Sequence, residues 1–89
     1  MTKGFVYILK SIKNSSYYIG STNNLERRMD DHKQGKAKYT KNIRPVELKF
    51  FQEYRSLSKA RKIEYRLKKL SRKDLIDNII KDGYIKMGL

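Results

Sequence analysis

The sequence contains no cysteine and a single histidine, and these two scarcities exclude several kinds of chemistry. Without cysteine there is no disulfide, no thiolate zinc site and no thiol nucleophile, and one histidine cannot build a histidine cluster. Any bound metal would be held mainly by carboxylates and water, which restricts the choice to a hard cation, Mg²⁺ or Mn²⁺ in its place. We expect a cytoplasmic protein with no disulfide partner.

Long apolar runs and acidic residues are also scarce. The longest uninterrupted apolar run is Phe5 to Leu9, which is too short for a transmembrane span or a signal-peptide core. Nine Asp and Glu stand against 22 Lys and Arg, and the formal net charge is +13. This excess is typical of a polyanion binder, with nucleic acid as the first candidate partner and no membrane expected. The 89 residues suffice for one domain with a single modest core.

Three segments are predicted to be strands. Aromatic and β-branched residues at 5–10 and 17–21 flank a cluster of turn-forming residues, which is typical of a β-hairpin. Residues 46–54 alternate between apolar and polar, which predicts a third, half-exposed strand. Its predicted apolar side consists of Val46, Leu48, Phe50 and Tyr54, and Phe51 alone departs from the pattern.

Three further segments are predicted to be helices. Apolar periodicity predicts helices over about 24–34 and about 58–69, and a last helix that ends before Gly83. The predicted order of elements is therefore β-β-α-β-α-α. We expect an α+β fold, in which one small domain over 1–83 has a three-stranded antiparallel sheet with flanking helices and a C-terminal tail follows at 84–89.

One face of the first predicted helix combines apolar and polar residues. Leu25, Arg28, Met29 and His32 fall at positions i, i+3, i+4 and i+7, which is one side of a helix. If Leu25 and Met29 pack on the body of the protein, Arg28 and His32 point inward as well. An unpaired buried charge is costly, so an inward arginine needs a partner. The ordinary explanation for Arg28 is that its side chain extends along the surface to place the guanidinium in solvent, or that it forms a structural ion pair. A functional explanation gains weight only if other polar groups converge on the same place.

Two tyrosines and one acid are the other candidate residues. A plausible hairpin register places Tyr7 and Tyr18 side by side on one face, where packing alone would explain them. Glu64 is the only acid on the strongly cationic second helix, and an intrahelical pair with Lys68 or Arg61 would explain it. A surface that only grips phosphates gains nothing from an acid, however, whereas one that cuts a phosphate backbone needs a carboxylate for a divalent ion.

The order and spacing of these residues resemble the GIY-YIG nuclease superfamily. The match covers roughly the first seventy residues and rests on Val6-Tyr7, then Tyr17-Tyr18-Ile19-Gly20, then Leu25-x-x-Arg28-x-x-x-His32, and finally Glu64. The first triplet is Phe5-Val6-Tyr7 where the family has Gly-Ile-Tyr, a departure that bears on the packing of that strand more than on its tyrosine. In length and in the run Lys38-Tyr39-Thr40, the chain is most similar to the small stand-alone bacterial members.

The resemblance implies a fold with one active site that hydrolyses DNA phosphodiesters with a single divalent metal ion, Mg²⁺ or Mn²⁺. Carried over residue by residue, it implies that Glu64 binds the metal and that Arg28 neutralises charge on the non-bridging phosphate oxygens. Tyr7 and Tyr18 would position or deprotonate the attacking water, with His32 as a helper. Because the ordinary pKa of tyrosine is about 10, the residue types leave open which tyrosine is the base.

The remaining cations are predicted to contact phosphates without reading the sequence. The predicted nucleic-acid contacts are Lys36, Lys38, Tyr39, Lys41, Arg44, Arg61, Lys62, Lys68 and Lys69. A merely solvated loop would look the same over 36–44. We expect structure-directed nicking or trimming of DNA, linked to repair or recombination, by a monomer. The alternatives are a non-catalytic DNA- or RNA-binding module that retains the fold, and an electrostatic adaptor to an acidic protein or membrane surface.

Overall fold

The computed structural model describes residues 3–38, 40–70 and 72–85. Strand β1 spans Gly4–Ser11, β2 spans Tyr17–Thr22 and β3 spans Val46–Tyr54, and the helices are α1 (Leu25–Gln34), α2 (Leu57–Leu70) and α3 (Lys73–Asp82). A short 3-10 turn, Lys41–Ile43, precedes β3. The α+β class, the single small domain and the order β-β-α-β-α-α are confirmed. None of the helices in the described ranges is long and apolar enough to cross a membrane.

The sheet is antiparallel, with strand order β2-β1-β3, so β1 is central and β2 lies at an edge. Tyr7 pairs with Gly20 and Leu9 pairs with Tyr18 across the hairpin. Residues that pair directly in an antiparallel sheet point to the same face, and successive residues alternate faces. The predicted placement of Tyr7 and Tyr18 on one face is therefore confirmed.

The hydrophobic core lies on the opposite face of the sheet from the two tyrosines. Val6 and Ile8 of β1 pack there against Ala60, Ile63 and Leu67, which form the apolar stripe of α2 and are fully buried. Ile76 and Ile79 of α3 join the same cluster, and so does Ile85 beyond the last helix. The backbone N–H of Ile85 donates a hydrogen bond of 2.8 Å to the side-chain oxygen of Gln52.

The predicted apolar side of β3 was wrong, because the strand contains an irregularity. Ile8 pairs with Phe50 but the next residue, Leu9, pairs with Leu48, so the register shifts by one residue at this point. Such a bulge reverses the alternation of side chains. Leu48 consequently lies on the tyrosine face, whereas Phe50 joins the core. Phe51 also lies on the tyrosine face, where its ring centroid is 6.5 Å from that of Phe5.

Helix α1 is capped at its start by Asn24 and at its end by Gly35. The side-chain oxygen of Asn24 accepts a hydrogen bond of 3.0 Å from the backbone N–H of Arg27. Gly35 ends the helix in the left-handed conformation, with φ of 80°. The guanidinium of Arg44 packs over Gly35 and donates to the backbone oxygen of Lys41 at 3.2 Å.

Candidate active site

A cleft of about 450 Å³ opens beside the edge strand β2, between α1 on one face of the sheet and α2 on the other. Four of the residues predicted to be catalytic line this cleft, each from a different element. The lining comprises Tyr7 from β1, Tyr18, Gly20 and Ser21 from β2, Arg28 from α1, and Arg61, Glu64, Tyr65 and Lys68 from α2.

The side chain of Tyr7 extends over the backbone of Gly20, its pairing partner on β2, to reach the cleft. The residue is almost completely buried, and its ring lies directly over Gly20. A Cβ atom at Gly20 would collide with the hydroxyl and Cζ of Tyr7. The missing side chain at Gly20 is therefore what lets the Tyr7 hydroxyl reach the edge of the sheet.

A hydrogen-bonded chain runs behind the cleft through the Tyr7 hydroxyl. Nε of Arg28 donates to the Tyr7 oxygen at 3.4 Å, and this oxygen lies 3.0 Å from Nε2 of His32. On the far side of the ring, Nδ1 of His32 lies 2.6 Å from the hydroxyl of Thr40. His32 is 1% exposed, so both ring nitrogens are satisfied inside the protein. Its hydrogen-bonded connection to the cleft is therefore the Tyr7 hydroxyl.

Burial sets the protonation states along this chain. Burial, aided by the positive charge of Arg28, lowers the pKa of His32 from 6.5 to about 4. Burial also raises the pKa of Tyr7 to about 12, although the hydrogen bond from Arg28 opposes the increase. His32 is therefore a neutral imidazole at pH 7, with one donor and one acceptor nitrogen. Both shifts disfavour proton transfer from Tyr7 to His32, so Tyr7 remains a phenol in the free protein.

Tyr18 forms an aromatic cluster with the buried pair. Its ring centroid lies 6.3 Å from that of Tyr7 and 5.4 Å from that of His32. The ammonium of Lys68 lies 5.4 Å from the centroid of the Tyr18 ring, within the range of a cation–π contact. Tyr18 is less buried than Tyr7, and it lies between the buried rings and the Lys68 ammonium.

Among the described residues, the acidic partner of Arg28 is Asp31, at a long distance. Its Nη1 lies 3.8 Å from the carboxylate of Asp31, at the limit of an ion pair. The structural ion pair that would explain an inward arginine is therefore present but long, and the shorter contact is the one to Tyr7. Because Arg28 lines the cleft, its charge is available to an anion that enters there.

Glu64 binds one partner from its own helix and one from the hairpin. Nζ of Lys68 lies 2.6 Å from Oε2, which is the intrahelical pair expected from their spacing. The hydroxyl of Ser21 donates a hydrogen bond to Oε1. The Glu64 side chain is 20% exposed. The intrahelical pair accounts for one carboxylate oxygen, and the contact with β2 fixes the other against the sheet edge.

The donor set around Glu64 fits a single hard cation. In the described ranges, no three His, Cys, Asp or Glu side chains cluster in a way that could hold a metal ion. Mg²⁺ is commonly bound by one or two carboxylates and completes its shell with water and substrate phosphates. The Lys68 ammonium on Oε2 shows that this oxygen faces a position where positive charge is stabilised.

The predicted nucleic-acid residues separate into three groups. Arg61 and Lys68 line the cleft, and Lys62 and Lys69 line an adjoining groove along α2. The loop residues Lys36, Lys38 and Lys41 are exposed on a different element, and Arg44 packs on the end of α1. Tyr39 lies outside the described residues.

Two lining residues were not predicted from the sequence. Ser21 pairs with Val6 across the hairpin, so its side chain points to the α2 face, where Glu64 is. Tyr65 is 65% exposed and lines both the cleft and the adjoining groove, with Nζ of Lys69 at 5.9 Å from its ring centroid. Tyr65 follows Arg61 by four residues, which places both on the same face of α2. This spacing is the signal from which a position of Tyr65 beside Arg61 could have been predicted.

The element order and the cleft together define a small α+β domain with one candidate active site. The chain belongs to the GIY-YIG family, because the family model described as "GIY-YIG catalytic domain" matches residues 3–77. Among curated proteins, it is 47% identical over 70 residues to the UPF0213 protein YazA of Bacillus subtilis, covering 78% of this chain and 70% of that protein. It is 44% identical over 80 residues to the UPF0213 protein SH2523 of Staphylococcus haemolyticus, covering 89% and 96% respectively.

A solved structure has the same fold. The solution NMR structure of the UPF0213 protein BH0048 from Bacillus halodurans is 35% identical in sequence and superposes with a TM-score of 0.56, covering 91% of this chain and 86% of that chain. The predicted family, including its small stand-alone type, is thereby confirmed. The names of these relatives state no activity, so they contribute the family and the fold.

Proposed function

We propose that this protein is a divalent-metal-dependent nuclease that hydrolyses DNA phosphodiester bonds by nicking or trimming. The observation that carries the proposal is that Tyr7, Tyr18, Arg28 and Glu64 come from four different elements and line one cleft. Packing alone would not require a carboxylate, a guanidinium and two phenols to converge at the open edge of a sheet. Phosphodiester hydrolysis can use such a set, in which a carboxylate holds a divalent ion and a guanidinium stabilises the developing negative charge.

Glu64 is the residue proposed to hold a single Mg²⁺ or Mn²⁺ ion. When bound, this ion would supply stabilisation of negative charge on the reacting phosphate. The hydrogen bond from Ser21 holds one carboxylate oxygen, which keeps the carboxylate turned toward the cleft. Arg28 would neutralise charge on the non-bridging oxygens, since its guanidinium lines the same cleft.

The two tyrosines are proposed to orient the attacking water. With a pKa of about 12, Tyr7 acts in the free protein as a hydrogen-bonding phenol rather than as a base. His32 is a positioning residue in this scheme, because it contacts the Tyr7 hydroxyl from behind and does not line the cleft. Tyr18 is less buried and lies nearer to incoming substrate.

The cations are proposed to bind the DNA backbone without reading its bases. Arg61 and Lys68 would contact phosphates next to the cleft, and Lys62 and Lys69 would continue the contact along α2. The exposed loop cations would extend it on the other side. Such contacts give structure-directed rather than sequence-directed cleavage, which suits a cytoplasmic role in DNA repair or recombination.

Cleavage assays on branched, nicked and single-stranded DNA with Mg²⁺ or Mn²⁺ test the proposal. We expect the wild type to cut, and Glu64→Gln and Arg28→Ala each to lose at least about a hundredfold in rate, as for the removal of one charge-stabilising group. Glu53→Gln is the matched control, because Glu53 is an exposed acid of β3 that pairs with Lys3. A wild type that cuts no better than Glu64→Gln would refute catalysis.

The second candidate function is a non-catalytic DNA- or RNA-binding module. The observation that favours it is that central polar groups of the cleft already have partners: Tyr7 with His32, and Glu64 with Lys68 and Ser21. This function predicts salt-sensitive binding that is indifferent to metal and undiminished in Glu64→Gln. The same variants therefore distinguish the two functions when binding is measured beside cleavage.

A further inference from the structure

Lys68 occupies the side of Glu64 that faces the cleft. Its ammonium lies 2.6 Å from Oε2 and 5.4 Å from the centroid of the Tyr18 ring, so the carboxylate and the aromatic face hold it together. Ser21 already binds Oε1, so Oε2 is the oxygen that Lys68 shields. Half of the Lys68 side chain is exposed, which leaves its flexible stem room to move.

The cation on Oε2 has a consequence for any metal ion that approaches Glu64. An ammonium and a divalent cation repel each other strongly when both lie within a few ångströms of one oxygen. The two compete for Oε2, so the ammonium in its observed position weakens metal binding there. Lys68 has somewhere to go, because it lines the same cleft in which a phosphate of the substrate would lie.

We propose that Lys68 gates the metal site: it neutralises Glu64 in the free protein and moves to a DNA phosphate when substrate binds, which frees Oε2 for the divalent ion. This inference rests on the proposed function, in which Glu64 holds the metal. Metal and DNA then bind cooperatively, and by thermodynamic linkage each raises the affinity of the other by the same factor. A metal site that fills more readily beside DNA also lowers the fraction of free protein that holds a loaded hydrolytic centre.

The test measures metal binding rather than cleavage. Mn²⁺ is titrated into wild type, Lys68→Met, Lys59→Met and Glu64→Gln at low salt, and free Mn²⁺ is followed by electron paramagnetic resonance. Each titration is repeated with a phosphorothioate oligonucleotide that resists hydrolysis. Methionine keeps the length of the lysine stem, and Lys59 is an exposed lysine at the other end of α2, so Lys59→Met controls for the loss of one positive charge. Circular dichroism verifies that each variant is folded.

We expect Lys68→Met to bind Mn²⁺ about tenfold more tightly than wild type without DNA, whereas Lys59→Met stays within about twofold. The oligonucleotide should tighten Mn²⁺ binding to wild type, and this gain should largely disappear in Lys68→Met. Unchanged or weaker Mn²⁺ binding by Lys68→Met, with binding lost in Glu64→Gln, would overturn the gate and leave Glu64 as the metal ligand. Binding that Glu64→Gln leaves intact, or no binding by any variant, would overturn the gate and the proposed metal site together.

Discussion

Acid should destabilise this protein through its single histidine. His32 is neutral and buried between Tyr7 and Thr40, and its pKa is about 4 in the folded protein against 6.5 when unfolded. Between these two values the unfolded chain binds a proton that the folded protein does not, so stability falls as the pH falls. The loss begins below about pH 7 and is complete below about pH 4.

The magnitude follows from the gap between the two pKa values. Integrated over the titration, His32 should remove about 2 kcal/mol of unfolding free energy by pH 5 and about 3 kcal/mol by pH 4. Urea denaturation at pH 8, 7, 6, 5 and 4 measures this, with His32→Gln as the control that keeps every other titrating group. The unfolding free energy of each protein is plotted against pH, and the difference between the two slopes gives the contribution of His32. This holds even if His32→Gln is less stable at every pH.

The reasoning has a direct spectroscopic check, because only one imidazole is present in the chain. The chemical shift of its ring protons should remain that of a neutral imidazole down to about pH 5 in the folded protein. A transition centred near 6.5, or equal pH slopes for wild type and His32→Gln, would refute the buried neutral histidine.

Two further substitutions test the packing behind the cleft. Gly20→Ala places a methyl group against the Tyr7 ring, and we expect urea denaturation to show a loss of about 1–3 kcal/mol; an unchanged midpoint would contradict the close approach. Thr40→Val keeps the shape of the side chain but leaves Nδ1 of His32 without a buried partner, which should cost about 1–3 kcal/mol. In the His32→Gln background the same Thr40 change should cost measurably less, and equal costs in both backgrounds would argue against the contact.

Local patterns predicted the parts of the site that lie within one element or one hairpin. The 3.6-residue period placed Arg28 and His32 on the inward face of α1, and the structure has both there while the other face is exposed. The two-residue period placed Tyr7 and Tyr18 on one face of the hairpin. Such features could be read from the sequence because the backbone geometry of a helix or strand fixes them independently of the rest of the chain.

Contacts between distant elements could not be predicted in the same way. Ser21 and Glu64 are 43 residues apart, and their meeting depends on how α2 packs against the sheet. The bulge in β3 is likewise set by pairing with β1, which the alternation within β3 does not reveal. Thr40 belongs to the run Lys38-Tyr39-Thr40, but its contact with His32 depends on how the loop packs on α1, which the run itself does not reveal.

The fit of the Tyr7 ring over Gly20 also bears on how the chain reaches its native state. A slip of the hairpin by one residue would bring Ile19 or Ser21 opposite Tyr7, and either side chain would occupy the space that the ring needs. It would also turn Tyr18 to the other face of the sheet. Misregistered hairpins are thus penalised by a steric clash at the same position that carries the site. Folding fidelity and the geometry of the cleft therefore depend on one missing side chain.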